Sequence, residues 1–284
     1  MELLTYLDEV ITMANKKDSL GDRMKEFYEG RSRFYLTRKT PVIIRLDGKS
    51  FHSFTRGFQR PYDEVFHNAM NRTLEYLCSN IQGCKFGYTQ SDEITLVLTD
   101  YDTIDTDGWF DYAVQKMCSI SASMATLEFN RAFQDEYGKW LYNTMTDSAN
   151  AEEVSRISAI MDAYSKSSKR GAMFDSRVFS IPKEEVANCL IWRQQDATRN
   201  AIQMLGQSNF SHKELQGKSC NDIQDMLMTQ KGINFNDMPV EFKRGTCCIR
   251  KPVQVSETVT RDKWVIDKEC PIFTQDREYI ERYL

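Results

Sequence analysis

Apolar residues recur at intervals of three and four over residues 1–36, at Leu4, Leu7, Val10 and Ile11 and again at Leu20, Met24, Phe27 and Tyr28. That spacing predicts an N-terminal helical segment, with Asp18 or Ser19 as a cap. Pro41 then opens a short β-branched run, Val42-Ile43-Ile44-Arg45-Leu46, which stops at Asp47-Gly48. After a loop closing at Arg60-Pro61, the apolar positions Val65, Phe66, Ala69, Met70, Leu74 and Leu77 return to helical spacing over 62–80. Two further β-like runs, 85–90 and 93–98, are separated only by Ser91-Asp92, so they predict a tight antiparallel hairpin with Asp92 at its tip or one residue into the second strand. Helical spacing resumes from Trp109 to about Leu127, and 172–181 reads as a fourth strand ending before Pro182.

The order βαββαβ predicts an α+β fold with a ferredoxin-like, polymerase-palm core: an antiparallel sheet with helices on one face and strand 1 beside the central hairpin. In that topology Asp47 and Asp92 come to the same edge of the sheet. Residues 130–170 read as a helical insertion, because Val154, Ile157, Ile160 and Met161 have helical spacing. Beyond Pro182, Glu184 and Glu185 suit the first turn of a helix running through Leu205, and smaller elements near 211–229 and 247–266 finish the chain. The expected organisation is thus a helical segment at 1–36, a catalytic core at 37–182 carrying the insertion, and a helical and small-β extension at 183–284.

Composition narrows the class. With 284 residues, 41% hydrophobic and 27% charged, the chain can bury a full core. Its apolar runs fall far short of the roughly eighteen residues that a membrane helix needs, and no signal-peptide pattern opens it. Eight cysteines without a C-x-x-C pair read as reduced thiols, and three histidines lack zinc-type spacing, so a cytoplasmic protein is expected. The net charge of −4 argues against indiscriminate nucleic-acid binding. Basic clusters at 31–39, 166–170 and 243–251 still allow a local electropositive groove.

Asp47 and Asp92 carry the chemistry. Taken alone, each reads first as a turn residue. If they converge, one pKa rises steeply unless a cation neutralises them, and Mg²⁺ suits two carboxylates, a backbone carbonyl at Gly48 and phosphate oxygens. The loop Gly48-Lys49-Ser50-Phe51-His52 offers backbone N–H groups to a triphosphate. Phe51 and Phe54 read as core packing before base stackers, and Lys116 reads equally as a phosphate clamp or a snorkelling surface lysine.

Five motifs occur in order. They are Arg45-Leu46-Asp47-Gly48-Lys49-Ser50-Phe51-His52, Arg60-Pro61, Gly87-Tyr88-Thr89-Gln90-Ser91-Asp92-Glu93, Phe174-Asp175-Ser176-Arg177-Val178-Phe179 and Trp192-Arg193-Gln194-Gln195-Asp196. Together they resemble the tRNA(His) guanylyltransferase superfamily over roughly 35–255. Asn234-Phe235-Asn236-Asp237 and Phe242-Lys243-Arg244-Gly245-Thr246 resemble its bacterial and archaeal-type members, 3′-to-5′ polymerases of tRNA 5′-end repair. The resemblance implies Asp47 and Asp92 as two-Mg²⁺ carboxylates with Gly48 as a further ligand, and Ser91 as a triphosphate contact supported by Glu93. It also implies Lys49 to His52 and Lys116 as nucleotide contacts. Arg60 stands where the family has a lysine for 5′-end activation. ATP and GTP are the implied substrates, tRNA the partner, and a homotetramer the implied assembly, with Arg193, Asn200, Lys243 and Arg244 as candidate tRNA contacts.

One stretch departs from the family. Eukaryotic guanylyltransferases carry His-Ile-Asn-Asn-Leu-Tyr-Asn after the last motif, whereas this chain has Thr198-Arg199-Asn200-Ala201-Ile202-Gln203-Met204. Templated addition of nucleotides to truncated tRNA is therefore the first expectation. The alternatives are G−1 addition to tRNA(His), a nucleotide cyclase of the same palm geometry, or a silent tRNA-binding scaffold. Trp192 is expected to be buried at a helix crossing.

Overall fold

The computed structural model describes residues 19–145, 151–256 and 259–284. The expected helical positions Leu4 to Ile11 lie outside them; the described chain begins with helix α1 (Ser19–Phe27). Strands β1 (Val42–Gly48), β2 (Cys84–Gln90), β3 (Glu93–Leu98) and β4 (Phe174–Ser180) pair antiparallel in the order β4-β1-β3-β2. Helix α3 (Glu64–Asn80), after the single turn α2 (Phe51–Phe54), and helix α4 (Val114–Met145) complete the βαββαβ unit. The ferredoxin-like core is therefore present as expected.

Alternation along β1 divides the molecule. Val42, Ile44 and Leu46 face a cluster with Leu74, Met117, Phe129 and Phe133 from α3 and α4, while Ile43 faces the opposite side with Phe86, Tyr88 and Val97. The two helices of the βαββαβ unit thus lie on one face, as predicted. The other face is not open. Val186, Ala187 and Leu190 of α6 (Lys183–Asn209) cover it, joined by Phe273, Tyr279 and Ile280 from the C-terminal segment.

Residues 130–170 differ from the expected excursion. Helix α4 does not stop near Leu127 but continues to Met145, because its buried stripe Met117, Ser121, Ala125, Phe129, Ala132, Phe133 repeats every three to four residues without a break. Helix α5 (Ala151–Arg170) returns Ile160 and Tyr164 into the same core. The edge-to-face contact of Tyr164 with Phe58, centroids 4.8 Å apart, seals that helix against the loop after α2. The core uses this stretch, so it is not a detachable insertion.

The extension also joins the core. Strands β5 (Thr246–Ser256) and β6 (Val259–Asp267) pair antiparallel and add to β2, giving one six-stranded sheet in the order β4-β1-β3-β2-β5-β6. Helix α7 (Cys220–Lys231), with a Ser219–Asp222 capping box, packs Ile223 and Leu227 on Ile202 and Leu205 of α6.

Candidate active site

Register places the carboxylates. Asp47 lies opposite Glu93 on β3 and opposite Asp175 on β4, and the Gly48 amide donates to the Asp92 carbonyl at 3.0 Å. The Ser91-Asp92 connection is the two-residue hairpin predicted. Ser91 takes a left-handed φ of 50°, as primed hairpin turns require of a first turn residue. Asp47 and Asp92 therefore meet at one end of the sheet.

Directly opposed residues on neighbouring strands share a face with Cβ atoms about 5 Å apart. Asp175, Asp47 and Glu93 consequently form an acidic row across β4, β1 and β3. Its outer members have cationic neighbours: Arg177 lies 3.8 Å from Asp175, and the buried Arg193 donates to Glu93 at 2.8 Å. Asp47 has no side-chain partner among the described residues, and Asp92 only the Ser91 hydroxyl at 3.2 Å. Burial raises the Asp92 carboxyl above the ordinary value, and the Asp47 charge adds to it. Two adjacent carboxylates left without a counter-charge, beside the Gly48 carbonyl, are an all-oxygen donor set with few protein ligands, which fits Mg²⁺. Among the described residues, no group of three or more His, Cys, Asp or Glu side chains could hold a metal.

Gly48 is fixed by a close approach. A Cβ there would sit 2.3 Å from Cδ2 of Phe51. The Phe51 ring is 3% exposed and packs against Phe54, Phe66, Phe129 and Phe174, so its ring belongs to the core even where the residue lines the cleft. Ser50, in the left-handed region at φ 57°, turns the chain from β1 into α2. His52 lies on the cleft wall, bonded to the Ser53 hydroxyl at 3.0 Å, and is near enough to pull the Asp92 carboxyl down. Lys49 is exposed beside the loop.

A cleft of about 520 Å³ opens from this edge. Gly48, Ser91 and Asp92 form one end of it, Arg60 and Asp63 a side, and Asn200, Gln203, Met204 and Gln207 of α6 the opposite wall. Its far end is aromatic: Tyr62 stacks on Phe242, with centroids 4.5 Å apart, and His67 bonds Glu241 at 2.7 Å. Sequence reasoning did not find His67, Glu241 or Tyr62. Nothing in their spacing marks them, since they are brought together only when α8 (Val240–Arg244) folds back over α3.

Several expected contacts are placed elsewhere. Lys116 lies over the Phe110 ring at 4.8 Å near the start of α4. The part of α4 that reaches the carboxylate end is Thr126, whose hydroxyl accepts from the Phe174 amide. Ten helical residues, about 15 Å, separate the two, and Lys116 does not line this cleft. Arg193 is 7% exposed and committed to Glu93, so it is a positioning group and not a free RNA contact. Lys243 and Arg244 border a separate cavity of about 390 Å³, where Arg244 donates to the Cys270 carbonyl. Trp192 is not buried at a helix crossing but 51% exposed, because Arg193 and Gln194 occupy the inward face of α6.

Comparison with known proteins follows the same lines. A family model described as Thg1, tRNAHis guanylyltransferase, matches residues 21–182. The structure of a bacterial tRNA(HIS) guanylyltransferase (Thg1)-like protein in complex with ATP is similar at TM-score 0.77 and 41% identity, covering 93% of this chain and 98% of that one. A GTP complex of such a protein is similar at TM-score 0.73 and 38% identity, covering 94% and 99%. A probable tRNA(His) guanylyltransferase of Dictyostelium discoideum is 25% identical over 77% of this chain and 78% of its own length.

Proposed function

The chain belongs to the tRNAHis guanylyltransferase (Thg1) family of nucleotidyltransferases, and from that membership we propose that it adds nucleotides in the 3′-to-5′ direction to the 5′ end of truncated tRNA, directed by the opposing strand. The observation that carries this reading is the cleft itself. It joins Gly48 and Asp92, next to Asp47 on β1, to a wall built from Asn200, Gln203 and Met204, the stretch where the histidine-specific motif is missing. The greater identity to bacterial Thg1-like proteins supports it.

The reaction takes two transfers. The RNA 5′-phosphate attacks the α-phosphorus of ATP and pyrophosphate leaves; the 3′-hydroxyl of the incoming nucleotide then attacks the activated 5′-phosphorus and AMP leaves. A 5′-triphosphate end enters directly at the second transfer, releasing pyrophosphate. Asp47, Asp92 and the Gly48 carbonyl would hold Mg²⁺, which supplies charge neutralisation and a lowered hydroxyl pKa. Arg60, in the loop between α2 and α3, lines the cleft together with His52 and the Ser91 turn, and these would contact the phosphates. Glu93, tethered by Arg193, fixes the start of β3, next to the turn that carries Asp92.

G−1 addition to tRNA(His) is the second reading, favoured by the description of the family model. Extension of tRNAs lacking one 5′ nucleotide, with each templating base tested against all four nucleotides, separates them. Incorporation that follows the template supports repair; G added regardless of template supports the histidine role. Incubation with nucleotides alone tests the cyclase alternative.

A further inference from the structure

One step back from the acidic row lies a row of the opposite charge. Arg45 sits opposite Arg177 in the β1–β4 register, two residues before Asp47 on the same face, hence about 7 Å along the strand. Like charges directly opposed on neighbouring strands destabilise the pair, which an anion bound between them relieves. Arg177 has only Asp175 at 3.8 Å and is half exposed. Arg45 has no ion pair among the described residues, and its Nε is shielded from water without a hydrogen-bond partner. What Arg45 does touch is Trp192, with its guanidinium carbon 5.5 Å from the ring centre. Arg193 stacks on the same ring at 3.6 Å. An indole 51% exposed, held by Arg45 and Arg193 with the half-exposed Arg177 alongside, makes an aromatic and cationic surface.

The chemistry of that surface is that of a nucleotide. Base–aromatic stacking works on any base, because every base has a π face, and guanidinium forks match phosphate. We propose that Trp192 stacks the 5′-terminal nucleotide of the RNA substrate while Arg45 and Arg177 hold its flanking phosphate, so that the RNA end is delivered to Asp47 and Asp92 from the side of the sheet covered by α6. This rests on the reading of the protein as an RNA 5′-end nucleotidyltransferase and adds where that end docks. A sequence-tolerant stack suits an enzyme acting on ends of varied sequence. The acidic net charge of the chain is no obstacle, since the contact is local.

The test uses the full chain and a 5′-truncated tRNA carrying 2-aminopurine as its 5′-terminal nucleotide. Binding to the wild type quenches that fluorophore, and a probe placed five nucleotides inward is unaffected. Trp192→Ala removes the quench and raises the KM for RNA about 5- to 150-fold, the span that loss of one base stack covers. Trp192→Phe restores most of both, and ATP binding without RNA stays within twofold. Arg45→Gln raises the KM for RNA with the quench reduced. An unchanged KM for RNA in Trp192→Ala overturns the proposal. So does an effect confined to the KM of the incoming nucleotide, or a change of oligomeric mass in that variant. If the wild type itself extends no tRNA, the functional reading fails; if it extends normally and Trp192→Ala equals it, only the docking surface fails.

Discussion

Replacing Asp63 by alanine removes the anchor of the cleft wall. Asp63 is the N-cap of α3, and its carboxylate accepts three hydrogen bonds, from the Phe66 amide at 2.8 Å, the Gln59 amide at 2.9 Å and the Tyr164 hydroxyl at 2.7 Å. Losing an Asp cap costs about 0.5–2 kcal/mol. The Gln59 amide loses its acceptor, and the Tyr164 hydroxyl, on a side chain with no exposure, keeps only the Gln59 amide group; an unsatisfied buried donor costs about 1–3 kcal/mol. The expected loss is about 3 kcal/mol, which for a chain of this size lowers Tm by roughly 6–12 °C. Burial holds the Asp63 carboxyl above its ordinary range, and the three hydrogen bonds counter it only in part. Its folded pKa thus exceeds the unfolded value, and folding favours the protonated form. The advantage of wild type over Asp63→Asn is accordingly greatest below the unfolded pKa near ~4 and shrinks as pH rises through the folded value. Urea denaturation of wild type, Asp63→Ala and Asp63→Asn between pH 4 and 8 reads both effects. A loss under about 1 kcal/mol in Asp63→Ala, or a wild-type advantage that grows with pH, would refute the reasoning. The same variant loosens the loop bearing Arg60, so its KM for nucleotide rises as well.

Asp47→Asn removes one of two like charges and is expected to abolish 5′ extension while leaving stability in Mg²⁺-free, low-salt buffer unchanged or higher by about 0.5 kcal/mol; retained activity contradicts the site. Gly48→Ala forces the Phe51 ring from its aromatic nest and costs about 1–3 kcal/mol, measurable by thermal melting. Arg193→Met strands Glu93, whose Oε1 already lacks a partner, and is expected to cost about 3–5 kcal/mol in denaturant titration. Lys116→Ala leaves the nucleotide KM within about twofold, because the residue lies about 15 Å of helix from the cleft.

Legibility followed locality. Asp47 could be found because an apolar run with β period ends there, and Asp92 because a two-residue turn between two runs admits one topology. Trp192 could not. A Trp-Arg-Gln-Gln stretch within a helix reads as a buried aromatic flanked by exposed polar groups; here Arg193 and Gln194 turn inward, to Glu93 and to the Pro271 carbonyl. Arg193 takes the inward position ahead of the indole because the largely buried Glu93 carboxylate at the start of β3 needs a counter-charge there. Lys116 misled for a related reason. Position along a helix gives a face but not an end, and only the register of Phe174 against Gly48 and Thr126 says which end of α4 meets the site.

The sequence alone determined the palm core, the two carboxylates and their convergence, because strand period, turn length and connection order are properties of neighbouring residues. Tertiary structure decided the rest: that residues 130–170 build the core, that α6 and the C-terminal segment close the second face, and that the cleft runs from Asp92 to Phe242. Those outcomes depend on which buried surfaces meet across more than a hundred residues of chain, and the free energy of burying apolar area is blind to sequence distance.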